Sequence, residues 1–132
     1  MRRGSSVRLA SPGVAPSRLI PLVHVEDVER SLAFYRALGF EVLETYEREG
    51  WVLWASMARD GARITFSLAG EPVHAHAPTV LLYLHVEDLD ALHASLTASG
   101  ARPGAIVDGS PGPPREFRLE DPDGHVLMVA PA

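Results

Sequence analysis

Six histidines and no cysteine set the chemical range of this 132-residue chain. Disulfides, thiolate metal sites and cysteine nucleophiles are excluded, which leaves imidazole, carboxylate and hydroxyl groups. Two of the histidines stand in one repeated tetrapeptide, His-Val-Glu-Asp, at residues 24–27 and 85–88. On a strand, Ile20, Leu22 and His24 share a face, as do Leu81, Tyr83 and His85. His24, His85 and Tyr83 are therefore the candidates for proton transfer if the chain is a catalyst. Each histidine lies four residues along its strand from Ile20 or Leu81, about 13 Å at strand rise. If the two strands run antiparallel, the imidazoles diverge and a shared metal site is not expected. His74 and His76 are paired at i, i+2 without a visible third ligand. His93 and His125 are expected to face solvent from a helix and a hairpin.

The elements that must position these groups come from a repeat with an offset of 61 residues. Besides the tetrapeptide, that offset pairs Ala33 with Ala94, Ala37 with Ala98, and Gly39 with Gly100. Apolar runs before each tetrapeptide predict strands. Asp27 and Asp88 then suit N-caps, with Glu29 and Asp90 adding favourable charge to each first turn. Val28, Leu32, Tyr35 and Leu38 recur at helical spacing as a buried stripe, and the glycines suit the left-handed closing position. Three strands are predicted after each helix, at 40–46, 51–58 and 62–68, and at 101–107, 115–120 and 125–130. Asp60-Gly61 and Asp121-Pro122-Asp123-Gly124 supply the hairpin turns. The order is βαβββ twice: module 1 at 19–68, a linker at 69–78, and module 2 at 79–132. The loop at 108–114 (DGSPGPP) is a candidate pocket rim.

Composition narrows the partners. An apolar fraction of 46% with 22% charged residues is that of a globular chain with an ordinary core. Residues 1–18 hold four arginines and no acid, and are expected to form a disordered leader or arm. Residues 19–132 hold 8 basic and 17 acidic residues, a balance of 8 − 17 = −9. Such a field repels nucleic acid and favours cationic or neutral ligands. No apolar run approaches the ~18 residues of a membrane span, so a soluble, cytoplasmic protein is expected.

Three segments carry a family resemblance: VEDVERSLAFYRALGFEV (25–42), LHVEDLDALHASLTASGARP (84–103) and PREFRLEDPDGHVLMVA (114–130). Together they resemble the vicinal oxygen chelate superfamily of glyoxalases, bleomycin-resistance proteins and dioxygenases, and most of all its metal-free, bleomycin-resistance branch. The resemblance implies an α+β fold in which two modules form one curved, mostly antiparallel, eight-stranded sheet. It also implies a homodimer with pockets formed between subunits. Superfamily members that do chemistry hold a divalent metal on four ligands, and the corresponding positions here are Ile20, Thr65, Leu81 and Met128. Isoleucine, leucine and methionine cannot bind a hard metal and threonine is a poor ligand. No metal and no cofactor is therefore expected.

The cup of such a sheet would be lined by His24, Thr65, Ser67, Tyr83, His85 and Met128, with Glu116 at the rim. Trp51 and Trp54 point to opposite faces of one strand, so one is a stacking platform and the other core or interface. Trp51 is taken as the platform. Such a surface suits a bulky small molecule, cationic or aromatic. The leading expectation is a metal-free protein that sequesters an antibiotic or other natural product without altering it. The alternatives are a metal-dependent lyase, isomerase or dioxygenase with non-standard ligands, a metal-free acid–base catalyst, and a module that kept the fold without its ligand.

Overall fold

The structure is a computed structural model that describes residues 18–73 and 80–132. The leader up to residue 17 and the His74/His76 pair lie outside the described residues. The elements run β1 (Leu22–Val25), α1 (Val28–Arg36), β2 (Glu41–Arg48), β3 (Trp51–Arg59), β4 (Ala62–Leu68), β5 (Leu82–Val86), α2 (Leu89–Ala98), β6 (Phe117–Glu120) and β7 (Val126–Pro131). The fold is α+β.

Both helices begin and end as the repeat requires. The Asp27 carboxylate accepts the Arg30 N–H at 3.1 Å, and Asp88 accepts that of Ala91 at 2.9 Å. At the other end Gly39 (φ +96°) and Gly100 (φ +92°) turn the chain into the left-handed region. The N–H of Phe40 then returns to the Tyr35 carbonyl, and that of Ala101 to the Leu96 carbonyl. These two bonds are again 61 residues apart. Gly39 is doubly constrained, because a Cβ there would run into the Arg59 guanidinium, which donates to the Leu38 carbonyl. Replacing Asp27 by alanine should lower stability by about 1 kcal/mol. Urea unfolding measures it, and an unchanged midpoint would contradict the cap.

Ladder bonding gives two sheets among the described residues, β1-β4-β3-β2 and β5-β7-β6. In each, the first strand pairs in parallel with the last, and the other pairs are antiparallel. Two details differ from the single eight-stranded sheet. Residues 101–107 contribute only one bridge, Val107 to Glu116. Pro103 has no N–H to give a ladder, and Gly104 instead donates to the Arg118 carbonyl. Nor does any ladder bond join β1 to β5, so the modules meet through side chains and loops.

One core runs through both modules. It includes Val25, Val28, Leu32, Tyr35, Leu38, Phe66, Val86, Leu96, Phe117 and Val129. The predicted helical stripe is buried throughout, and Ile64 and Phe66 lie beneath it while Thr65 and Ser67 alternate to the other face. Phe117, next to the rim candidate Glu116, is fully buried. The turn between β6 and β7 docks on α1. The Tyr35 hydroxyl donates to Asp121 at 2.9 Å, Arg30 pairs with Asp123 at 3.1 Å, and the Glu26 N–H donates to Asp123 at 3.0 Å.

Two histidines are not the solvent-facing groups expected of them. His93 is half-buried, edge-on to Phe117 at 5.0 Å, with Nε2 donating to the Gly104 carbonyl. Helical spacing places His93 close to the buried face, where an apolar ring edge outweighs its polarity. His125 donates from Nε2 to the His24 carbonyl at 2.9 Å, another inter-module bond.

Candidate functional site

Strand register gathers the candidate residues into two groups, one on each sheet. In sheet one, His24 is level with Ser67 across the β1–β4 ladder, and Ser67 with Trp54 across β4–β3. Trp54 is in turn level with Tyr46 on β2. The next row is Leu22, Thr65, Ser56 and Glu44. This face carries imidazole, hydroxyls and two aromatic rings, and it is open: Leu22 is 53% and Tyr46 56% exposed.

Thr65 is fixed by its own strand neighbour. Its hydroxyl donates to the Pro21 carbonyl at 2.7 Å. Ser56 lies under its row with its hydroxyl buried and unbonded.

The second group is tighter. Tyr83 and His85 stack at 5.9 Å with 18° between their planes. The Tyr83 hydroxyl donates to Glu116 at 2.8 Å, and His85 Nδ1 donates to the Pro131 carbonyl at 3.0 Å. That bond occupies Nδ1, so a second bond of the ring is made by Nε2. Met128 is level with Tyr83 on β7, and Arg118 with Met128 on β6. The 108–114 loop closes on the same spot, with Gly109 against the Glu116 carboxylate and Gly112 beside the Tyr83 hydroxyl. The hydrogen bond to Glu116 raises the Tyr83 hydroxyl above its ordinary range, so this tyrosine is a donor and a stacking surface. On the adjoining surface Arg115 grips Asp90 through two bonds of 3.0 and 2.8 Å, which holds the Asp90 carboxyl below the usual range.

Trp51 begins β3 level with Arg48 on β2 and is 69% exposed. It lines a separate recess of about 380 Å³ with Glu26, Asp27, Val28 and Glu29. Trp54 is level with Tyr46 and Ser67 on the open face. From Trp54 to Val52 the ladder advances two residues in β3 against one in β2, a bulge in β3. Simple alternation predicts opposite faces for the two tryptophans, and the extra residue between them breaks that alternation. Tyr46 and Ser56 were also missed, because they become site residues only through cross-strand register.

Comparison with known proteins follows from this geometry. The family model described as Glyoxalase/Bleomycin resistance protein/Dioxygenase superfamily matches residues 20–129. The chain belongs to that superfamily. No protein of curated function matches it. Among solved structures it is similar to TnmS3, an antibiotic-binding protein from Streptomyces sp. CB03234, with 27% identity and a TM-score of 0.67, over 90% of this chain and 99% of that one. It is also similar to a bleomycin-binding protein complexed with bleomycin (20% identity, TM-score 0.70, 89% and 99% covered). A third is the bleomycin-binding protein of bleomycin-producing Streptomyces verticillus complexed with copper(II)-bleomycin (23%, 0.67, 90% and 98%).

Within the superfamily, the residues here do not fit a resident metal. Ile20, Leu81 and Met128 offer no hard donor, and the Thr65 hydroxyl is committed to Pro21. Among the described residues no three histidine or carboxylate side chains converge on one point. No helix of the described residues is long and apolar enough to cross a membrane.

Proposed function

We propose that this member of the superfamily binds an antibiotic or similar natural product and holds it without chemical change. The observation that carries the reading is the Tyr83–His85 stack with Glu116 beneath the Pro/Gly loop. It offers a planar aromatic surface, an imidazole and a carboxylate, which suits an aromatic ligand with a cationic or hydrogen-bonding arm. The likeness to TnmS3 at 27% identity supports it.

We further propose that the chain acts as a homodimer, in which the open face of module 1 in one copy meets that of module 2 in the other. Leu22, Tyr46 and Tyr83 are each half-exposed or more, and large side chains exposed on a sheet face suit a partner surface. His24, Thr65, Ser67 and Trp54 would then form one wall of each site, and Tyr83, His85, Glu116 and Met128 the other.

Thermal unfolding with bleomycin and a panel of planar aromatic antibiotics tests the binding reading. A ligand at 100 times its dissociation constant should add about 2.7 kcal/mol of stability, a rise of several degrees. If no member of the panel shifts the transition, the reading fails.

A further inference from the structure

Arg63 stands apart from every other arginine of the described residues. The rest are exposed, whereas Arg63 is half-buried, and its Nε lies wholly out of solvent with no hydrogen-bond partner. Among the described residues no carboxylate pairs with it, although acids outnumber bases by 17 to 8 over residues 19–132. A donor left in this state is destabilising, more so when it is charged. The expense is out of place for a side chain that a threonine or valine could replace on the strand.

The Nη groups of Arg63 are not buried with its Nε, and the side chain borders an open recess. Arg63 lines a cleft of about 340 Å³ between the modules, walled by Pro21, Ile64, Leu81, Leu84 and Leu127, with Tyr83 at one side. Among the described residues Arg63 is the only charged one in that lining. The cleft is near the lower end of ligand cavities, which run from ~300 to 1,000 Å³. An apolar cleft with a single guanidinium matches an apolar body that carries a single negative charge. The two Nη groups of a guanidinium form a fork that fits a carboxylate with two parallel bonds.

We propose that this inter-module cleft is a second binding site, for an amphipathic carboxylate: an apolar ring or short chain ending in one carboxylate group, with Arg63 as its counter-charge. The site goes beyond the antibiotic-binding reading. Of that reading's residues only Tyr83 reaches the cleft, and the charge preference is the opposite of that expected from the acidic body.

Calorimetric titration of the full chain with 2-naphthoate and with its neutral isostere 2-naphthamide tests it. Naphthoate should bind saturably and at least tenfold more tightly than naphthamide. Arg63→Gln should remove that preference, leaving naphthamide binding as it was, and Arg63→Lys should keep part of it. Absence of naphthoate binding, equal binding of the two probes to the unaltered protein, or an Arg63→Gln protein that still prefers naphthoate would overturn the proposal. The comparison of probes on the unaltered chain holds even if a variant folds poorly. Failure here leaves the antibiotic reading untouched, because its own screen uses other ligands.

Discussion

Replacing Asp121 by alanine should lower the unfolding free energy by about 3–5 kcal/mol, the largest stability loss expected of any single polar side chain in this fold. The carboxylate accepts three hydrogen bonds: the Tyr35 hydroxyl and the Asp123 and His125 N–H groups, each at 2.9 Å. Tyr35 has no solvent exposure, so its hydroxyl cannot turn to water once the acceptor is gone. The contact also joins α1 of module 1 to the β6–β7 turn of module 2, so the loss weakens the docking of the halves. Tyr35→Phe removes one donor together with its need, and should cost less, about 1–2 kcal/mol. Urea unfolding of the two variants measures both. An Asp121→Ala protein within 1 kcal/mol of the parent, on the order of one ordinary hydrogen bond, would contradict the assignment.

The same residue gives a pH dependence with a definite sign. Burial raises the Asp121 carboxyl, while the Tyr35 hydroxyl and the two N–H groups pull in the opposite direction. The folded-state value is thus above the unfolded one of about 3.9. In the window between them the folded chain binds more protons, so Asp121's contribution to stability is full below about pH 4 and declines as pH rises through the folded value. Asp121→Asn should abolish this decline. A decline of equal slope in the variant would assign it to other groups. Tyr35 is shifted upward by burial and by the Asp121 charge, and stays protonated throughout that window.

The second large effect is on binding. For an antibiotic found in the thermal screen, Trp54→Ala and Tyr83→Ala should each weaken affinity by about 2 kcal/mol, roughly 30-fold. Each removes the flat ring of its group, Trp54 beside Ser67 and Tyr83 beneath His85. Tyr83→Ala also frees Glu116 and the loop that closes on it. Trp51→Ala, in the recess beside α1, should change affinity little. Calorimetry on the three variants decides it, and a larger loss at Trp51 than at Trp54 would contradict the placement.

Much of this was legible in the amino-acid order because it is local. Asp27, Asp88, Gly39 and Gly100 bound the helices by backbone chemistry that needs no tertiary partner. The 61-residue repeat carried the module order. What sequence could not supply was register and contact between modules. His93 and His125 look solvated on their own elements and acquire partners only when Gly104 and β1 arrive beside them. Asp121 reads as a turn former, and its bond to Tyr35, 86 residues away, depends on how the halves dock. Simple alternation puts Trp51 and Trp54, three positions apart, on opposite faces, and the extra residue of a bulge in β3 between Val52 and Trp54 breaks that alternation. The run at 101–107 was apolar enough for a strand, yet Pro103 and Gly104 left it a single bridge.

The central claim is that each ligand site combines module 1 of one copy with module 2 of the other. Mixed dimers of a Trp54→Ala chain and a Tyr83→Ala chain, isolated through two different affinity tags, measure it most directly. One of their two sites would hold both defects and the other neither. The mixed dimer should therefore bind the antibiotic at the parental affinity with one molecule per dimer, although each variant alone binds weakly. A mixed dimer that binds no better than its parents would show that each site lies within a single chain, and would contradict the account.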